Sequence, residues 1–418
     1  MNSRTGVLIL SHQLLSMVAP LQQQLAARGL ECYVLSSRPS RALTPPWQDR
    51  VSQLEITDGH ALTMQDIAAC LARLPDEVTL VACISVWDGY RELMAQTNGL
   101  LGATDLDVSC VTRLRDKLTM RRWLHGDGLS RVQAQPLTDA LWQGITDPSA
   151  FFIKPRTGLA SFGAFRADKL DQPDQLNTLW RQACADQAYA GVFEGEPEFI
   201  IEDLIQGTEY CFEVIVTKGE AQVLAVHEKI DMHQQGFTVL ENACVCPPVS
   251  VQAEQLAQGK TFVTRCLASL EVTTGLFHIE AKFAERQGWE MVEINPRIGG
   301  AYILESTRHH AGVDLLSLWL DSLLSRPLQP VQPSNRRSFF RVFFGQSGRT
   351  LARIQPRNGA EVPLLDQRLF VQEGDRLPQI EREIFIGQAL WDISALPHHN
   401  FSDFAASTAH HFQVEYHP

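Results

Sequence analysis

Apolar positions along this chain change their spacing several times, and each change marks a new element. The run Gly6 to Leu10 (GVLIL) is short and continuous, as in a buried strand, and leads into helix-spaced apolar positions from Leu14 to Arg28, closed by Gly29. Glu31 to Ser36 (ECYVLS) reads as a second strand. A loop around Pro45 and Pro46 follows, then a helix around Thr63 to Arg73 and a strand from Val78 to Ile84. Strands alternating with helices predict a parallel, doubly wound sheet. Ligands of such sheets lie beyond the strand carboxyl ends, which places Trp87, Asp88 and Tyr90 near a site, although each also suits an ordinary loop. This first unit is expected to end near Val108.

From Thr112 the pattern becomes a helix with basic residues (TRLRDKLTMRRWL), then a strand from Phe151 to Lys154 and a turn rich in small residues. Strand-like runs at Glu198 to Glu202, Glu209 to Val216, Gln222 to Glu228, Phe277 to Phe283 and Glu290 to Ile294 predict a largely antiparallel sheet. A helix from about Val251 to Leu270 accompanies it. The stretch RPLQPVQPSN after Arg326 reads as a linker, and short strands such as Phe339 to Phe344 make the remainder β-rich. The expected division is therefore 1–110, 111–326 and 327–418. A chain of 418 residues exceeds what one hydrophobic core supports, which agrees with several packed units.

Composition narrows the function classes. A net charge of -12 argues against a general nucleic-acid or anionic-membrane binder, because counterion release needs clustered Lys and Arg. The nine cysteines show no repeated CxxC pair with zinc-ligand spacing and read as reduced and buried. The start MNSRTGVLILSH has too short an apolar run for a leader, and no run reaches membrane-spanning length, so a cytoplasmic location is expected.

The chemistry concentrates in FHIEAKF, a short turn, and WEMVEINPRIGG. Strand alternation points Glu293, Asn295 and Arg297 to one face. If the turn pairs the two strands, Glu280 joins them, giving two carboxylates and an amide oxygen around one point, a ligand set suited to magnesium. The competing reading is a solvated strand face. Upstream, FFIKPRTGLASFGAF ends a strand with Lys154 and continues into a loop with Gly158, Ser161 and Gly163, whose amides can wrap a phosphate. Between them, IIEDLIQGTEYCFEV offers Glu202 as acceptor for an adenine amine and Glu209 for ribose hydroxyls, or two hairpin-end acids in water.

The order of these elements resembles the ATP-grasp superfamily over roughly residues 1 to 325. The motifs are RDK at Arg115 to Lys117, KPRTGLASFG from Lys154, EDLIQGTE from Glu202, EK at Glu228 and Lys229, Glu280, and EINPR. The resemblance implies an α/β and α+β chain: a Rossmann-like N-terminal domain, an ATP-grasp fold and a small β-rich C-terminal domain. It also implies ATP as the nucleotide, with Mg2+, or Mn2+ in its place. By resemblance, Lys117 and Lys154 hold the phosphates, and Gly158, Ser161 and Gly163 belong to the lid. Glu202 accepts from adenine, the backbone of Leu204 and Ile205 makes the hinge contact, and Glu209 binds ribose. Lys229 reaches the transferred phosphate, Glu280, Glu293 and Asn295 ligate the metal, and Arg297 stabilises an acyl phosphate and tetrahedral intermediate.

Within the superfamily, EKIDMHQQGFTVLENACVCPP resembles the substrate loop of the L-amino acid ligases of the bacilysin, tabtoxin and dapdiamide type. This implies amide formation between a small carboxylate and an amino acid, in the biosynthesis of a peptide antibiotic or related metabolite, by a chain that pairs as a homodimer. Glu241 is kept as a substrate residue, but Cys244 stands where that branch has histidine. Gly299 and Gly300 are kept, and Ala301 stands where a bulky aromatic closes the pocket in bacilysin-type enzymes. Two rivals remain. A biotin-carboxylase-like enzyme needs a carrier, and the chain has no AMKM segment. A non-catalytic nucleotide-binding regulator is expected to have damaged metal ligands, and these are intact. Of His309 and His310, adjacent on a helix, at most one is expected to face the pocket, and the pairs His398–His399 and His410–His411 are read as solvated surface.

Overall fold

The computed structural model describes residues 4–15, 17–40, 44–357, 362–380 and 384–418. The first three residues of the MNSRTG start, and Ser16 within the expected first helix, lie outside that description. Continuous apolar runs form the N-terminal sheet, whose four strands lie in the order Gln53–Ile56, Glu31–Ser36, Arg4–Ser11, Val78–Ile84, all parallel. Such strands need cover on both faces, and Val7 to Leu10 are fully buried. The helix Met64–Ala72 starts where Thr63 and Asp66 form a reciprocal cap.

The first helix differs from expectation. It covers Val18–Ala26 rather than starting at Leu14, because Gln13, Leu14 and Met17 adopt positive φ. Tertiary contacts account for this turn. Gln13 and Leu14 donate backbone N–H groups to Ser37 and Ser36, and the Gln13 side chain reaches the carbonyl of Gln187. The strand Gln53–Ile56, which the sequence pattern did not pick out, extends the parallel sheet at its edge. The basic helix is two helices, Val108–Arg115 and Lys117–Gly126, separated at Asp116, whose carboxylate caps the second through Leu118 and Thr119.

Two further sheets form the rest of the site. A small antiparallel sheet contains Ala134–Pro136, Phe199–Asp203, Phe151–Pro155 and Phe165–Arg166 in that order. The large sheet has eight strands in the order Gly288–Asn295, Thr274–Ala284, Thr208–Thr217, Glu220–Gln235, Thr238–Cys246, Ser338–Phe344, Phe385–Asp392, Leu364–Leu369. Neighbouring strands are antiparallel throughout. Glu220–Gln235 is far longer than the segment read from sequence, and Thr238–Cys246 is an additional strand. Through Ser338–Phe344 the sheet continues into the residues after 327, so the β-rich end shares backbone hydrogen bonds with the middle of the chain.

Among the described residues, no helix is long and apolar enough to cross a membrane. Cysteine burial is as expected except at Cys184, which is exposed, and His411 is buried against Trp391 and Phe412 rather than solvated.

Gly207 connects the small sheet to the large one. Its φ is +104°, and a Cβ there would collide with the carbonyl oxygen of Phe283. Gly207→Ala is therefore expected to destabilise the protein by about 2 kcal/mol or more, from backbone strain plus overpacking. A urea midpoint equal to that of the wild type would contradict this assignment.

Candidate active site

The hairpin made by Thr274–Ala284 and Gly288–Asn295 sets Glu280 directly opposite Glu293 and His278 opposite Asn295. The neighbouring strand Thr208–Thr217 extends both rows, adding Cys211 to the first and Glu213 to the second. Side chains in a row share a face. The conditional placement of Glu280 is thus met by the register itself. All of these residues except Glu213 line one cavity of about 440 Å³, together with Arg297, Gly299, Gly300 and Ala301.

Two carboxylates directly opposed across a strand pair repel unless a cation accompanies them. Here the Lys117 ammonium lies 3.1 Å from Glu293, and that of Lys229 lies 3.1 Å from Glu280. Glu280, Glu293 and Asn295 retain exposure to the cavity, and their oxygen donors suit a hard divalent ion. Burial pushes Glu280 up, but Lys229 and His278 outweigh it and hold the carboxyl well below its ordinary range. It is therefore an anion, as a metal ligand must be.

Lys154, Glu202, Leu204 and Ile205 line the same cavity, as do Lys117 and Glu209, which adjoin the acidic pair. Lys154 pairs with Glu202 at 2.5 Å, and the second oxygen of Glu202 accepts from Arg121 at 3.2 Å. Burial favours protonation of Glu202, yet Lys154 and Arg121 keep its pKa below the ordinary carboxylate value. The connection after Lys154 also reaches the cavity. Gly158 and Ser161 line the cavity, and Ala160 and Ser161 both take φ of +53°. Thr238 pins the loop by donating its hydroxyl to the carbonyl of Ser161. Gly163 lies behind this wall, at φ +67° against Pro155 and Phe199, where a side chain is sterically disfavoured.

Lys229 is the buried centre of a second acidic group. Its ammonium meets Glu209 at 2.5 Å and Glu241 at 2.6 Å in addition to Glu280, and Lys282 is 3.5 Å from the other oxygen of Glu209. The carboxylates of Glu209, Glu241 and Glu280 come within 4.8 Å of one another, close enough to hold an ion, and the Lys229 ammonium occupies that position. Burial lowers the proton affinity of Lys229, but the three acids raise it well above the ordinary lysine value.

Several contributors were not identified from sequence. Glu213 is fully buried and meets Nδ1 of His278 at 2.6 Å, while Nε2 of His278 lies 3.5 Å from Glu280. Period-two spacing was the available signal, since Glu209, Cys211 and Glu213 alternate, as do His278 and Glu280. Arg121 is fully buried between Glu202 and Glu290, and its spacing of four from Lys117 on one helix face was the corresponding clue. Of the residues expected beyond the parallel strands, Asp88 lines the cavity 3.6 Å from both Arg115 and Arg297, and Trp87 lines it too. Tyr90 instead bonds His12 and Ser37 inside the N-terminal unit. His309 and His310 both lie away from the cavity, near Asp392 and the carbonyl of Arg336.

Comparison with known proteins bears on the domain and the fold. Residues 148–305 match the model of the ATP-grasp domain. Carnosine synthase 1 of Homo sapiens is 29% identical over 272 residues, which is 62% of this chain and 32% of that protein. Carnosine synthase 1 of Mus musculus is 29% identical over 157 residues, 38% of this chain and 18% of that protein. The chain thus spans about a third or less of these curated relatives. Among solved structures, an L-amino acid ligase from Bacillus licheniformis superposes with a TM-score of 0.78 at 16% identity, covering 100% of both chains. Biotin carboxylase from Campylobacter jejuni gives 0.68 at 12% identity, covering 98% of this chain and 92% of that one. At such identities the likeness is one of fold.

The acidic group around Lys229 generates a pH dependence. Burial, aided by Glu280 and Glu209, pushes Glu241 up to about 7 against the pull of Lys229. A carboxyl raised in the folded state stabilises most fully below its ordinary value of 4.5, and that contribution disappears as pH rises through about 7. Glu241→Gln removes the titration. Its melting temperature is expected to gain on that of the wild type between about pH 5 and 8, and a pH-independent difference in calorimetry would refute the assignment.

Proposed function

We propose, from the premise that this chain carries an ATP-grasp domain, that it is an ATP-dependent carboxylate–amine ligase releasing ADP and phosphate. The observation that carries this reading is the convergence of Lys117 and Lys154, the opposed pair Glu280 and Glu293 with Asn295, and Arg297 on one cavity. Phosphoryl transfer needs little covalent participation from protein and much charge neutralisation in fixed geometry, which is what this set supplies.

In this reading Lys117 and Lys154 hold the nucleotide phosphates beneath the Gly158 to Gly163 loop. Glu202, kept anionic, accepts from the adenine amine. The N–H of Leu204 already donates to the carbonyl of Ala150 at 2.8 Å, so its carbonyl oxygen and the Ile205 amide are the groups offered to the base. Glu209 receives ribose hydroxyls through the oxygen that faces Lys282. Glu280, Glu293 and Asn295 would hold Mg2+, or Mn2+, which when bound neutralises charge on the phosphate oxygens.

A substrate carboxylate oxygen attacks the γ-phosphorus, the bond to ADP breaks, and an acyl phosphate forms. An unprotonated amine then attacks the acyl carbon, the carbon–oxygen bond to phosphate breaks, and the nitrogen gives up one proton to the departing phosphate, leaving an amide. Arg297 stands beside the developing oxyanion, Lys229 steadies the three acids at the transfer point, and Glu241 receives the amino group of an amino-acid substrate. Gly299, Gly300 and Ala301 leave room for the acyl portion. Closure of the loop keeps water from the acyl phosphate.

The test incubates purified protein with ATP, magnesium and pools of amino acids and small carboxylates, reading nucleotides and product masses. ADP, phosphate and a new amide mass are expected, and Arg297→Ala should lower turnover by about 100-fold or more. Release of AMP would eliminate the acyl-phosphate route, and ADP formation that depends on bicarbonate with no amide would favour a carboxylase.

A further inference from the structure

The residues assigned by sequence end at Ala301, yet the cavity wall does not. Phe340, Val342 and Phe385, all from the chain after residue 327, also line it, with Met232 and Val239 beside them. Strand register explains their presence. Lys229 stands opposite Cys244, Cys244 opposite Phe340, and Phe340 opposite Leu390. One row across the large sheet therefore passes from an ammonium held by three acids to a thiol, then an aromatic ring, then an aliphatic side chain.

Alternation along Ser338–Phe344 assigns its two faces. Phe339 and Phe343 pack into the C-terminal core, whereas Phe340 and Val342 belong to the same apolar cluster as Cys244, with Ala301 packed against it. Arg341, the charged residue of this strand, points to the opposite face and pairs with Asp231 at 2.6 Å. The charged residues that line the cavity all come from other segments of the chain, Glu241 being the one on the same strand as Cys244, and Ser338–Phe344 presents only Phe340 and Val342 to it. A charged substrate side chain laid over Phe340 would lose its water without gaining a counter-charge from that strand.

We infer that the amino-acid substrate of this site carries an aliphatic or aromatic side chain, received by Cys244, Phe340 and Val342 while its polar end meets Glu241. The inference rests on the ligase reading for its reaction, but the pocket makes its own claim about binding. Cys244 contributes as a small neutral hydrophobe, since burial pushes its thiol well above the ordinary value. Val342 lines the cavity on the same strand face as Phe340 and limits the space beside the ring.

Two measurements on the full chain test this. The first compares kcat/KM for leucine, methionine and phenylalanine with that for aspartate, lysine and asparagine in ATP-dependent amide formation. The apolar set is expected to be favoured by at least about tenfold. In Val342→Ala, phenylalanine should gain on leucine by several-fold while KM for ATP stays unchanged, which also shows that the variant is folded. The second measures binding of leucine and aspartate to the protein with magnesium and ADP by calorimetry. Amide formation with equal or better use of charged amino acids overturns the inference and leaves the ligase reading intact. Absence of any amide counts against the ligase reading, and the calorimetry then still decides: leucine binding without aspartate binding supports the pocket, and the reverse, or no binding of either, overturns it.

Discussion

Acidic side chains crowded within a few ångströms of one another require fixed cations, and the floor of the cavity is arranged around that requirement. Glu209, Glu241 and Glu280 arrive from three different strands and converge on the Lys229 ammonium. Without that ammonium their mutual repulsion would oppose the strand pairing that brings them together. The same logic repeats where Lys154 and Arg121 flank Glu202, and on the hairpin, where Lys117 faces Glu293. Each carboxylate proposed to bind a ligand is thereby held in place before the ligand arrives. The arrangement is preorganised, so little ordering remains for the moment of reaction.

Much of this was legible in the sequence where the determinants are local. The hairpin carrying Glu280 and Glu293 follows from alternation across a short turn, and the strands Glu31–Ser36 and Val78–Ile84 follow from continuous apolar runs. What escaped depends on contacts between distant segments. Glu213 and His278 are 65 positions apart and meet only through strand register. The pairing of Thr238–Cys246 with Ser338–Phe344 has no local signature either, so the participation of Phe340 and Val342 in the cavity stayed hidden. The late start of the first helix has the same origin, since the turn at Gln13 and Leu14 is set by Ser36, Ser37 and Gln187.

The three sheets divide the work by the kind of group they present. The parallel sheet contributes Trp87 and Asp88 from the connection beyond Val78–Ile84, and Asp88 stands between Arg115 and Arg297. The small sheet provides Lys154, Glu202 and the overlying loop, while the large sheet provides the floor. Gln13 and His12 of the N-terminal unit reach the carbonyls of Gln187 and Ala188, which ties the first unit to the short helical turn that precedes Phe199–Asp203. The cavity is therefore enclosed by hydrogen bonds between elements far apart in sequence.

Strand order in the eight-stranded sheet has an evolutionary consequence. The carboxylates proposed for phosphoryl transfer lie at one edge, and Ser338–Phe344 lies five strands away from the edge strand Gly288–Asn295. On the proposed roles, one part of recognition, at Phe340 and Val342, thus lies well away from the phosphoryl-transfer carboxylates along the sheet, while Gly299 to Ala301 stay beside them. Substitutions at Phe340 or Val342 can explore new clientele while the phosphate machinery is inherited unaltered. A lineage built on this sheet can diversify its products by drifting at one end and conserving the other.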